Sequence, residues 1–194
     1  MALTPSTMLP LGTVLPLSTM REHLTPVHGG ALPAAAFEGL PVLVLFICPH
    51  CPFVKHIEPE ITRLQADLGP RIQMLGICSN SVRTHPQDGP EGMGRQAQTH
   101  GWTFPYLADP EQIVARSFRA ACTPDLYLFD QQHRLVYRGQ LDGSRPGNAI
   151  PLTGADLRAA IAAVREGRPV AEEQTPSIGC NIKWHPGAEP AWAG

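Results

Sequence analysis

An apolar run, Pro41-Val42-Leu43-Val44-Leu45-Phe46-Ile47, ends directly on Cys48-Pro49-His50-Cys51, and a helical apolar period starts immediately behind it. The run has no polar member to face water, so it predicts a strand covered on both faces. Behind it, Phe53, Val54, Ile57, Ile61, Leu64 and Leu68 predict a helix over Pro52–Leu68, stopped by Gly69-Pro70. Pro59 lies inside that helix, where it removes one backbone hydrogen bond and should kink it. A strand buried on both faces needs helices above and below it, which makes the chain α/β. Two cysteines therefore stand at the seam between a buried strand and the start of a helix.

The rest of the chain supports the same architecture. A second strand is expected at Ile72–Cys78, a short helix at Glu91–His100, a short strand at Phe104–Leu107, and a helix at Glu111–Arg119 opened by Asp109-Pro110. Leu126–Phe129 and Leu135–Gln140, separated by a short polar turn, read as a hairpin. After a Gly- and Pro-rich loop over Asp142–Thr153, Leu157, Ile161 and Val164 give a helix over Ala155–Arg165. A βαβ unit feeding a hairpin implies a mixed central sheet with helices on both faces. Residues 1–40 read as extended leading segments over a sheet edge. We divide the chain into a domain over residues 1–167 and a tail over 168–194. Ile178 to Trp184 carries enough apolar surface to pack back onto the domain.

Composition excludes several function classes. With 15 Lys+Arg against 17 Asp+Glu, the chain lacks the basic excess that nucleic acid or an anionic membrane would select. Its longest apolar run falls far short of the ~20 residues of a membrane span. Pro5, Pro10 and Pro16 interrupt the uncharged start, and no cationic segment precedes them, so a cytoplasmic protein is expected. Five cysteines are too few for a stapled scaffold and cannot all pair within one chain. In a reducing compartment a close pair points to catalysis or metal binding.

The chemistry is expected at Cys48 and Cys51. A helix N-terminus lowers a thiol's pKa below the free value of about 8.5, so Cys48 is expected to attack and Cys51, one turn into the helix, to resolve. Pro49 suits a first helical position. A zinc site would want a second close Cys or His pair at regular spacing, which the sequence lacks. Thr123-Pro124 follows about 75 residues later, directly before a strand, and is expected to be cis. Cys78 reads as a small core hydrophobe. Glu58, His50 and His56 lie near the pair in sequence but read as solvated groups first.

The order of strand, CPHC, helix, Thr-Pro, hairpin and final helix resembles a thioredoxin-fold redoxin over roughly residues 10–167. More narrowly, Phe46–Lys55, Cys122-Thr123-Pro124-Asp125, Ser144-Arg145-Pro146-Gly147-Asn148 and Pro176-Ser177-Ile178-Gly179-Cys180 resemble the bacterial peroxiredoxin-like redoxins related to AhpC/TSA. The resemblance implies thiol–disulfide oxidoreductase chemistry, with no organic cofactor and no metal, on protein or small-molecule disulfides and thiols. It implies that Thr123 and cis-Pro124 dock a substrate backbone beside the cysteines. Pro49-His50 is the dipeptide of strongly oxidising relatives, so His50 should stabilise a thiolate and raise the potential. Arg145 would flank the pair, and Cys122 and Cys180 are candidate auxiliary thiols, with Cys180 able to take a disulfide over from Cys48.

Two other functions compete with this reading. A peroxiredoxin needs Pro-x-x-x-Thr-x-x-Cys. Counting back from Cys51 puts Cys48 in the threonine place and Val44 in the proline place, whereas counting back from Cys48 finds Pro41 but Leu45 instead of threonine. A thiol peroxidase is thus an alternative with part of its pocket missing. A second alternative is a thioredoxin-fold carrier of copper or zinc, using Cys48 and Cys51 with a third soft ligand.

Overall fold

The structure, a computed structural model, describes residues 3–32, 37 and 39–192; the rest of the leading segment read over residues 1–40 lies outside the described residues. Strands β1 (Leu3–Pro5) and β2 (Thr25–His28) flank the short helix α1 (Leu17–His23). The buried run becomes β3 (Val42–Phe46), followed by α2 (Pro52–Leu68) and β4 (Gln73–Cys78). Helix α3 (Pro90–His100), β5 (Tyr106–Ala108) and α4 (Ile113–Ser117) come next, then β6 (Cys122–Thr123), the hairpin β7 (Asp125–Phe129) and β8 (Leu135–Gly139), α5 (Ala155–Arg165) and β9 (Ile178–Asn181).

The six-stranded sheet has the order β2-β5-β4-β3-β7-β8. β3 pairs parallel with β4 and antiparallel with β7, so it is central, as an all-apolar strand requires. Alternation splits β3 between two cores. Leu43, Leu45 and Ile47 join the core formed with α2 and α5, whereas Val42, Val44 and Phe46 face Met20, Val114, Phe118 and Trp184. Among the described residues no helix is long and apolar enough to cross a membrane.

Two local expectations change. The leading segment does not simply lie over an edge; its β2 is the edge strand, paired antiparallel with β5. Helix α4 is shorter than Glu111–Arg119, because Gln112 adopts φ 60° and breaks the turn after Asp109. Asp109 still caps the helix from a distance, its carboxylate accepting the amides of Val114 and Ala115 at 3.3 and 2.8 Å.

The tail builds a second sheet, in the order β1-β9-β6. Ile182 and Trp184 are buried, and the Ile182 amide donates to Ala121 O at 3.0 Å. Residues 178–184 are thereby fixed against the segment that precedes Pro124.

Candidate active site

β3 carries the chain to Cys48, and α2 leaves from Cys51. Cys51 is the residue before the helix, and Pro52 takes the first helical position, where its missing N–H costs nothing. The sequence reading gave that place to Pro49 and set Cys51 a turn inside the helix. Both cysteines instead precede α2, and its positive end acts on Cys51. Both are fully buried.

The Thr123–Pro124 peptide is cis, and it brings Thr123 against both sulfurs. Cys48 Sγ lies 3.5 Å from Thr123 Oγ1, and the Cys51 thiol lies 3.2 Å from Thr123 O. Cys51 Sγ is also 2.9 Å from Cys180 Sγ. The charge on the pair settles on Cys51, which is lowered to about 5. Its hydrogen bond from Cys48 is the largest cause; contacts with Cys180, Thr123 and the Val54 amide add to it, and burial opposes it. Cys48 is held well above the ordinary thiol range, first by that hydrogen bond to Cys51 and then by burial. The sequence expected the low pKa at Cys48; here the downward direction falls on Cys51, with the hydrogen bond from Cys48 as its first cause.

Cys48 faces a different partner. His50 Nδ1 is 3.7 Å from its sulfur and is hydrogen-bonded to the buried Asp88 carboxylate. Asp88 also accepts the His50 amide at 3.1 Å and Asn80 Nδ2 at 2.8 Å. His85 stacks on His50 with centroids 4.9 Å apart. The same nitrogen faces both groups, so Asp88 fixes the ring and the Nδ1–H is what the Cys48 sulfur meets. The Asp88 carboxylate also opposes thiolate at Cys48, which His50 alone would not do. The Cys48, His50 and Asp88 ligand atoms lie within 4.8 Å of one another, so a cation could also be held there.

Behind Cys48, Gln96 Nε2 donates to Cys48 O at 3.4 Å and to Glu58 Oε1 at 2.6 Å, while Tyr106 OH donates to Gln96 Oε1 at 3.0 Å. Glu58, read as solvated, is buried and also pairs with His100 at 2.9 Å. Arg145 and His56 line one groove with Phe53 and Pro124. The Arg145 guanidinium is bonded to Asp142 O, Ser144 O and Gln140 Oε1. His56 bonds Ser144 Oγ at 2.8 Å. Cys122 Sγ contacts Pro124 O and Ser177 O at 3.6 and 4.0 Å, and burial raises its pKa far above the usual range. Cys78 is buried, with its thiol 3.5 Å from Asp88 O, and burial pushes its pKa up.

A strand, a buried cysteine pair, a helix and a cis-proline facing the pair are the parts of a thioredoxin-type site. The description "AhpC/TSA family" matches residues 19–138. The chain belongs to the AhpC/TSA family. This redoxin is 46% identical to an uncharacterized conserved protein from Geobacillus kaustophilus, with 97% of this chain and 99% of that one covered and a TM-score of 0.90. It is 41% identical to a hypothetical protein from Sinorhizobium meliloti 1021, over 95% of this chain and 100% of that one, with a TM-score of 0.84. A secreted Mycobacterium tuberculosis disulfide oxidoreductase is 16% identical over 75% of this chain and 98% of its own, with a TM-score of 0.57, and shows the shared fold. No curated protein matches the chain. Family and fold make it a thioredoxin-fold redoxin, an oxidoreductase.

Proposed function

We propose that the protein is a thiol–disulfide oxidoreductase working through Cys51 and Cys48. The observation that carries this reading is the contact of both sulfurs with Thr123, the residue before cis-Pro124, with Cys51 at the N-terminus of α2. The Cys51 thiolate attacks one sulfur of a substrate disulfide; the other substrate sulfur leaves and takes up a proton. Cys48 then attacks Cys51 Sγ in the mixed disulfide, and its proton passes to the leaving substrate sulfur. The first substrate sulfur leaves as the second thiol, and the two electrons gained by the substrate are those lost in forming Cys48–Cys51. The reverse sequence oxidises a dithiol.

With Cys51 as the attacking sulfur, the position that a peroxidase fills with a threonine hydroxyl is Cys48, and counted from Cys48 it is the core residue Leu45, so neither register offers a hydroxyl. This favours disulfide exchange over dedicated peroxide reduction. β9 pairs with Thr123, so the substrates that fit with the tail seated are small disulfides and thiols; an extended peptide needs that edge free. A reducing cytoplasmic setting suits such a couple.

The test is iodoacetamide labelling of reduced protein against pH, read by mass spectrometry. Cys51 should label first, with its rate rising through about pH 5, well below the ~8.5 of a free thiol. Cys48 should label appreciably only in alkali or after unfolding. Preferential labelling of Cys48 at neutral pH would return the attacking role to it. Failure of the reduced protein to exchange with any small disulfide would end the oxidoreductase reading.

A further inference from the structure

The backbone edge of Thr123 is the place where the fold would receive an incoming strand, and the protein's own tail is already there. β9 runs antiparallel to β6, with Cys180 opposite Thr123 and Asn181 opposite Cys122. The approach is closer than a side chain would allow: a Cβ on Gly179 would stand 2.0 Å from Thr123 O. Glycine at 179 is therefore what lets this strand seat. On its other edge β9 pairs with β1, Leu3 opposite Cys180, and beyond it Ile182 and Trp184 are buried in the second core. The strand is clamped on both edges and anchored downstream.

This seating delivers a sulfur. Cys180 is buried, and its Sγ at 2.9 Å from Cys51 Sγ is nearer than two sulfurs that merely pack. Cys51 is in contact with Cys48 on one side and Cys180 on the other. The sequence expectation had Cys180 taking a disulfide over from Cys48 directly. The sulfur it meets is Cys51, while Cys48 faces His50 and Thr123.

We propose that Cys180 is the third redox thiol of this site, held as a built-in substrate strand, and that it exchanges a disulfide with Cys51. The step rests on the thiol–disulfide reading above. The Cys180 sulfur attacks Cys51 Sγ of the Cys48–Cys51 disulfide; the Cys51–Cys180 bond forms as the Cys48–Cys51 bond breaks. Cys48 leaves with the electron pair and takes up the proton that Cys180 released. One disulfide replaces another, so no external oxidant is used. Cys51 is the shuttle sulfur, and an oxidising equivalent gained at the pair is stored on the tail while Cys48 returns to the thiol.

Peptide mapping under non-reducing conditions, after equilibration with oxidised glutathione, tests this in four full-length proteins: wild type, Cys48→Ser, Cys180→Ser and Gly179→Ala. Each is first checked for native far-ultraviolet circular dichroism. Wild type and Cys48→Ser should both lose free Cys51 and Cys180 together and yield a Cys51–Cys180 linked peptide. Cys180→Ser should yield Cys48–Cys51 only. Gly179→Ala keeps all the thiols but unseats the strand, so its bond should shift from Cys51–Cys180 to Cys48–Cys51. If wild type shows Cys48–Cys51 alone and Cys180 stays free in Cys48→Ser, the third thiol is refuted and the Cys48–Cys51 couple stands. If no intramolecular disulfide at Cys51 forms in any of the four, both readings fall.

Discussion

Replacing Cys51 by serine should lower turnover of a small disulfide by at least about 10³-fold, more than any other single substitution in the site. Cys51 is the sulfur at the helix N-terminus, and it is the only one in contact with both of the other two candidate redox thiols. A hydroxyl at that position does not ionise near neutral pH and forms no mixed disulfide. Serine nearly preserves volume and still reaches Thr123 O, so the fold should survive. The measurement is steady-state reduction of a small disulfide, compared with the thermal unfolding midpoint of the same preparation. A variant that unfolds like wild type and turns over within tenfold of it would show that another residue carries the chemistry.

Asp125→Asn should stabilise the protein at pH 8 by about 2–4 kcal/mol, from a carboxyl pKa raised by roughly three units. Asp125 is fully buried next to Pro124, and burial pushes its carboxyl up to about 7; hydrogen bonds from Tyr127, Ser6 and the Ala121 and Leu126 amides oppose this without cancelling it. The groups facing it are the Tyr127 hydroxyl at 2.8 Å and the thiol of Cys122, and it bears on both of their pKa values. The folded carboxyl holds its proton more tightly than the unfolded one. Its contribution to stability is therefore fully present below about pH 4 and is lost as pH rises through about 7. Asparagine can still accept the Tyr127 hydrogen bond and has no charge to bury. Urea unfolding at several pH values should show the gain shrinking as pH falls from 8 towards 5. An equal loss of stability at both ends would mean that the carboxylate is better solvated than its burial implies.

The sequence revealed the parts of the molecule that repeat a period or carry a breaker. β3, α2, β4, the β7–β8 hairpin and α5 lie where alternation, helical spacing and Gly-Pro stops placed them. The short strands were hidden for a physical reason. β1, β6 and β9 have two to four residues each, too few to show a period, and they are held by partners more than fifty residues away. The site followed the same division. Cys48, Cys51 and cis-Pro124 announce themselves by motif. Asp88 sits in a polar loop with nothing in its spacing to connect it to His50. Glu58 looked solvated because its burial depends on Gln96 and His100, from another helix. The different place of Cys51 turned on three residues of helix boundary, with Pro52 rather than Pro49 in the first helical position. The 129-residue separation of Cys51 and Cys180 closes only through β9, whose place depends on a glycine that meets Thr123 across the sheet.

The central claim is that Cys51 cycles between thiol and disulfide, and a redox titration of the native protein tests it most directly. The protein is equilibrated in glutathione buffers of graded potential, acid-quenched, and its free Cys51 is quantified by mass spectrometry. The account predicts a reversible two-electron transition in which Cys51 passes into an intramolecular disulfide and returns on reduction, with the protein folded throughout. Cys51 remaining a free thiol across the whole range, or ending only as its glutathione adduct, would contradict it.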